Sequence, residues 1–334
     1  MVLRLVKENL DTYDFDKVLS AYAPAMEACE RAIKENLFSD VPMVTQVAEH
    51  LVMSGGKRLR PLLVVLAADL CGYQGLRTAT FGTVLEYIHT ATLLHDDVID
   101  HAQLRRGRSS CNAIWDNKSS VLVGDFLYCR ASSLIAQDGD IQVLAAITHA
   151  TTYTTEGEIL EVLKSRDLSL TQEEYFKIIE FKTAILMSCA TEVGAIIGRA
   201  SRKEQEALRQ FGLNLGISFQ VADDALDYNS EESKFGKANG VDLKEGKLTL
   251  PILLALKQCD DRERKVIKAG LMSNRDGHFA KVLEILNKYG ALQETLQLAQ
   301  TRAELAKAQL AIFPDSKPKQ MLMALTDYVV ARNK

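Results

Sequence analysis

The sequence predicts an all-α protein, built as one continuous helical domain over residues 1–334. Three observations carry that prediction. The six prolines fall at Pro24, Pro42, Pro61, Pro251, Pro314 and Pro318, which leaves the long stretch between Pro61 and Pro251 without one. Proline removes a backbone donor and clashes with the preceding turn, so a proline-free run rich in Ala, Leu, Ile and Glu favours helix. Apolar residues also recur at spacings of three and four in residues 62–70 and again in 178–197, the period of a helix face. Strand-like alternation bounded by turn residues is scarce.

Along the chain, the helical stretches end at glycine or polar clusters. Ser54-Gly55-Gly56 is a break, and Pro61 stands just beyond it, where a helix can begin. Arg105-Arg106-Gly107-Arg108 and Asp138-Gly139-Asp140 are the next two breaks. Residues 229–246 are polar and glycine-containing and predict a loop, after which Pro251 opens a further helix. The remainder also has a helical pattern and carries no recognisable chemistry. No low-complexity linker divides the chain into halves.

A chain of 334 residues can bury a sizeable core. With 47% hydrophobic and 25% charged residues it has the composition of a soluble globular protein. The net charge of −4 gives no reason to expect nucleic acid or an anionic membrane as a partner, so any basic site must be local. Cys29, Cys71, Cys111, Cys129, Cys189 and Cys259 form no CxxC pair and suit a reducing compartment. Charges at Arg4, Lys7 and Glu8 interrupt the start of the chain where a signal peptide needs an apolar run, and no apolar run approaches a membrane span. The expected location is the cytoplasm, without an integral membrane segment.

One short motif occurs twice. Asp96-Asp97-Val98-Ile99-Asp100 and Asp223-Asp224-Ala225-Leu226-Asp227 both read DDxxD, each preceded by apolar residues. Residues four apart on a helix lie about 40° apart around the axis, so Asp96 shares a face with Asp100, and Asp223 with Asp227. Like charges at that spacing repel, and apolar neighbours raise the cost, so something cationic should offset them. Carboxylate oxygens without histidine or thiolate suit a hard cation, magnesium first, which uses one or two carboxylates plus substrate phosphates. A single DDxxD is equally well a solvated acidic patch; two copies in apolar surroundings point to a metal-bridged diphosphate.

Basic residues complement the acidic ones. Gly55-Gly56-Lys57-Arg58-Leu59-Arg60-Pro61 places three cations within four residues after two glycines, which let the backbone approach an anion. Arg105-Arg106 follows the first acidic motif, Lys182-Thr183 interrupts an apolar helix, and Lys237 and Lys247 bracket Gly240, Asp242 and Gly246. The set suggests two anion sites, one bridged through metal to the aspartates and one made of cations alone. That division suits two diphosphate substrates, of which one ionises and the other is only held.

These residues resemble the trans-isoprenyl diphosphate synthases, also called polyprenyl synthetases. The matching segments are GGKRLRP at 55–61, HTATLLHDDVID at 89–100, RRG at 105–107, VGDFL at 123–127, EGEIL at 156–160, KTA at 182–184, FQVADDALDY at 219–228 and GVDLKEGKLTLP at 240–251. The resemblance implies helices surrounding a deep central cavity, a homodimer, and two to three Mg²⁺ per active site bound by Asp96, Asp100 and Asp223, with Asp97, Asp224 and Asp227 supporting. It implies an allylic diphosphate held by those metals with Arg105, Lys182, Lys237 and Lys247, and places Thr183 and Gln220 near the reacting carbons. Isopentenyl diphosphate would be held by Lys57, Arg60, His89 and Arg106. Where many members carry Gln after EGE and two apolar residues, this chain has Glu161, either an added carboxylate near the carbocation or the partner of a neighbouring cation.

In the family, bulky side chains four and five residues before the first DDxxD close the cavity. Ala91 and Thr92 stand there and are small; Ile88 lies one turn further up, and Leu134 and Ile135 are candidates for a floor. The segment looks most like octaprenyl- and solanesyl-type synthases, so the implied product is a long all-trans polyprenyl diphosphate for quinone side chains, built on a farnesyl or geranylgeranyl primer. The runner-up is a short-chain farnesyl or geranylgeranyl synthase. A terpene cyclase needs no second diphosphate site, and a regulatory subunit would not keep all six aspartates.

Overall fold

The computed structural model describes residues 15–52, 56–105, 107–228, 240–272 and 277–331. Helices α1 (Phe15–Ala21), α2 (Ala23–Glu35) and α3 (Pro42–Val52) lead into α4 (Leu59–Leu70) and the long α5 (Arg77–Ile99). A two-residue hairpin follows, β1 (Leu104–Arg105) against β2 (Arg108–Ser109), antiparallel, with Arg105 opposite Arg108. It brings Arg105 back against Asp97 near the end of α5. Then come α6 (Cys111–Ile114), α7 (Asn117–Asp138) and α8 (Ile141–Lys164). Between α7 and α8, Gly139 takes the left-handed conformation that closes one helix, and the Asp140 carboxylate accepts the N–H groups of Gln142 and Val143 to open the next.

Helix α9 (Gln172–Ile179) starts at a capping box of Thr171 and Glu174, and runs through a π turn (Glu180–Ala184) into α10 (Ile185–Ile197). A second capping box, Ser201 with Glu204, opens α11 (Arg202–Leu226). Beyond it lie α12 (Val241–Glu245), α13 (Leu250–Leu256), α14 (Asp261–Met272), α15 (Phe279–Lys288), α16 (Ala291–Gln309), a 3₁₀ turn (Leu310–Ile312) and α17 (Lys317–Ala331). Pro251 sits in the first turn of α13, as its missing N–H predicts. Part of the loop expected over 229–246 is helical. Gly240 and Gly246 adopt left-handed conformations at the two ends of α12, and the Asp227 carboxylate receives the N–H groups of Val241 and Asp242.

The core explains why α10 reads as almost wholly apolar. Every residue of α10 except Glu192 is buried, because α4, α8 and α11 pack around it. Helix α5 is held by α7, α4 and α2, while α11 lies along α16. Two apolar clusters result, and α11 belongs to both, with Leu208, Phe211 and Leu215 in one and Ile217, Val221 and Ala222 in the other. The two DDxxD motifs therefore ride on the C-terminal ends of two well-anchored helices. Among the described residues no helix is long and apolar enough to cross a membrane.

Candidate active site

The first acidic motif divides its carboxylates between two directions. Asp97 is fully buried, and its Oδ1 accepts from Arg105 Nε at 2.8 Å and from Arg105 Nη2 at 2.5 Å. Asp100, which caps the end of α5, accepts from Lys247 Nζ at 3.0 Å. Asp96 is half-buried. Burial pushes its carboxyl up to about 7; the Lys182 ammonium works against that, while Glu158 and Asp100 add to it.

The second motif repeats the division. Asp224 is buried; its Oδ2 accepts from Tyr175 Oη at 2.7 Å and faces Leu250 N at 3.4 Å, and its Oδ1 accepts from Gln220 Nε2 at 2.9 Å. Burial raises its carboxyl to about 7 even against those donors. Asp227 is raised to about 6, again by burial, with two backbone N–H groups working in the other direction. Asp223 is half-buried beside both. In each motif the second aspartate is buried and bonded into the protein while the first is only half-buried, as a 100° step between consecutive helical residues requires; Asp227, held by the Val241 and Asp242 N–H groups, is anchored as well.

Beside the first motif stand two lysines from separate elements. Lys182, on the π turn, lies 2.7 Å from Glu158 and 2.5 Å from Glu161 of α8. Lys247, between α12 and α13, reaches Asp100 at 3.0 Å, Glu245 at 2.8 Å and Glu161 at 3.9 Å. Neighbouring carboxylates raise both ammonium groups against the effect of burial, so both stay charged. Thr183 donates to Gln220 Oε1 at 3.1 Å, which ties the π turn to α11 and, through Gln220, to Asp224. The π turn is wedged between neighbours. A Cβ on Gly157 would lie 2.4 Å from the Lys182 backbone nitrogen, and one on Gly216 2.5 Å from the Ala184 Cα. This is the physical reason for glycine inside the Glu156-Gly157-Glu158 segment.

The basic segment before α4 splits as well. Arg58 takes a left-handed backbone conformation and turns inward, bonding Glu30 and Glu86 at 2.6 Å each and the Val52 carbonyl at 2.6 Å. It is a structural cation. Lys57 is exposed, its ammonium 5.0 Å from the centre of the Tyr328 ring, and Arg60 is half-buried in the first turn of α4. His89 is half-buried on α5, its carbonyl accepting the Thr92 hydroxyl at 2.8 Å. Ile88 and Ala91 on α5 and Leu134 and Ile135 on α7 are buried in the same apolar cluster. Arg106 and Lys237 lie outside the described residues.

Glu158, Glu245 and Tyr175 were not singled out from the sequence. The glutamate pair at i, i+3 that follows Gly157 on α8 is the available signal for Glu158 and Glu161; nothing local marks Tyr175. The carboxylates around Lys182 and Lys247 (Asp96, Asp100, Glu158, Glu161, Glu245) outnumber those two ammonium groups, and the Glu158 Oε1 is buried without a hydrogen-bond partner. An all-oxygen, electron-rich set of this kind fits Mg²⁺. Among the described residues no three such side chains converge enough to chelate an ion alone, so phosphate oxygens would have to complete its shell.

Residues 41–289 match the family described as polyprenyl synthetase. The chain is 38% identical over 322 residues to octaprenyl diphosphate synthase of Escherichia coli K12, covering 96% of this chain and all of that one. It is 37% identical over 316 residues to an all-trans-nonaprenyl-diphosphate synthase, geranyl-diphosphate specific, of Rhodobacter capsulatus, covering 94% and 97%. The fold superposes with a TM-score of 0.92 on a polyprenyl synthase of Caulobacter crescentus CB15 complexed with calcium and isoprenyl diphosphate, at 41% identity and covering 97% and 99%.

Proposed function

Because the chain belongs to the polyprenyl synthetase family, we propose that it condenses isopentenyl diphosphate with an allylic diphosphate to build a long all-trans polyprenyl diphosphate. One observation carries this reading: each DDxxD motif anchors its central carboxylate to the protein, and the outer aspartates of the first stand beside two charged lysines. A farnesyl or geranylgeranyl primer and a quinone side chain as destination are the finer parts of the proposal. In the reaction the allylic C–O bond breaks, diphosphate leaves with the electron pair, the isopentenyl double bond attacks the allylic carbon, and a proton passes to the released diphosphate.

Asp96, Asp100 and Asp223 would hold two to three Mg²⁺, with Asp97, Asp224 and Asp227 fixing their positions. When bound, the metal supplies positive charge to the departing diphosphate. Lys182 and Lys247, with Arg105 and Lys237, bind that same group and fix its orientation. Pre-organised charge of this kind needs no rearrangement as the bond breaks. Thr183 and Gln220 hold each other at the reacting end and keep the π turn on α11. Lys57, Arg60, His89 and Arg106 seat the isopentenyl diphosphate. The small Ala91 and Thr92 leave the growing chain room, with Ile88, Leu134 and Ile135 limiting its depth.

We take the protein to be a cytoplasmic homodimer. The support for the dimer is exposed apolar side chains on α7 and α8, where Leu122 is 66% exposed and Leu163 71%. The deciding test is incubation with labelled isopentenyl diphosphate, farnesyl diphosphate and Mg²⁺, followed by sizing of the dephosphorylated products. Chains longer than geranylgeranyl support the reading, and a failure to extend any allylic primer overturns it.

A further inference from the structure

We propose that Glu161 is a positioning residue that holds the Lys182 and Lys247 ammonium groups together when no diphosphate is bound. It yields them when diphosphate arrives, and so sets how tightly that diphosphate is kept. The inference rests on the reading of the two lysines as its seat.

The two lysines come from different elements, the π turn and the segment after α12, and each charge opposes the other. Glu158 is placed on Lys182 alone, and Asp100 and Glu245 on Lys247 alone. The Glu161 Oε2 lies 2.5 Å from Lys182 Nζ and 3.9 Å from Lys247 Nζ, the bridging position. A dianionic phosphate group entering between the lysines must compete with that carboxylate. After bond cleavage the same carboxylate recaptures the lysines and helps diphosphate leave. An enzyme that repeats its cycle many times on one chain must shed diphosphate at every addition, so a competing internal anion serves turnover.

Glutamine at this position keeps the shape and one acceptor oxygen but removes the charge. The test is titration calorimetry of wild type, Glu161→Gln and Glu161→Asp with inorganic diphosphate, reading the Mg²⁺-dependent component. The Glu161→Gln variant should bind diphosphate about tenfold more tightly, ~1.4 kcal/mol. Its kcat and its KM for the allylic substrate should fall together while the KM for isopentenyl diphosphate holds. Glu161→Asp, which retains the charge, should stay nearer wild type. Unchanged or weaker diphosphate binding by Glu161→Gln overturns the inference, as does a shifted Tm with unaltered binding. Because the binding measurement needs no turnover, a wild type that shows this Glu161 dependence but extends no primer would sink the proposed function and leave this inference standing.

Discussion

A helix turns 100° per residue, so Asp96 and Asp97 cannot serve the same face, and neither can Asp223 and Asp224. The structure uses that constraint by giving Asp97 and Asp224 structural bonds while Asp96 and Asp223 before them stay half-buried. The two classes should fail differently. Asp96→Ala and Asp223→Ala should each lower kcat by at least about 100-fold, the usual loss when one pre-organised electrostatic contributor is removed. Their thermal melts should stay close to wild type; near-normal turnover in either would remove that residue from the site. Tyr175→Phe should do the reverse. It deletes the hydroxyl that donates to the buried Asp224 carboxylate, and a buried acceptor losing its partner costs about 1–3 kcal/mol. Urea denaturation would read that loss, and an unchanged midpoint would mean that Gln220 and Leu250 suffice. The acidic motifs were legible in the sequence because spacing alone fixes a helix face. Arg58 was not, since nothing in Gly56-Lys57-Arg58 says which cation turns inward; that is decided by Glu30 and Glu86 from two distant helices.

At the scale of elements, the site depends on where the π turn sits. Its extra residue displaces Lys182 and Thr183 from the regular helical path, and π turns recur at functional sites for this reason. The sequence showed Lys182 interrupting an apolar helix but not the turn, because a π turn is set by what packs against it. Gly157 and Gly216 are that packing. Gly157→Ala should therefore destabilise by about 1–3 kcal/mol, the cost of overpacking, and lower kcat more than tenfold by moving Lys182. A variant with unaltered stability and kcat would show that the turn tolerates a displaced backbone. The α5–α7 contact carries the second element-scale prediction. Ala91 is buried where these helices share their core, and a phenyl ring there should shorten the main product of Ala91→Phe, as read by chromatography of the dephosphorylated alcohols. An unchanged product distribution would place the floor elsewhere, below Leu134 or Ile135.

For the whole molecule, the helical class was readable because periodicity and proline placement act locally, as Pro251 at the start of α13 illustrates. The outer faces were not read in advance. A helix packed on one side and covered on the other by a second chain has the same apolar pattern as one buried in a single chain. The structure leaves part of each outer face open. On α7, Leu122 and Tyr128 are exposed, and on α8, Leu144, Ile159 and Leu163 are exposed, while the opposite faces of both helices enter the core. Two adjacent long helices with open apolar faces fit an isologous interface, in which each patch meets its own copy across a two-fold axis. Charge at its centre would then be desolvated twice, once from each subunit. Leu122→Glu should shift the protein from dimer to monomer in sedimentation velocity, weakening association by about 2 kcal/mol or more. Helix α7 also packs on α5, which ends in the first acidic motif, so loss of the dimer should lower kcat as well. A Leu122→Glu protein that sediments as wild type would move the interface off α7, and a monomeric wild type would remove it altogether.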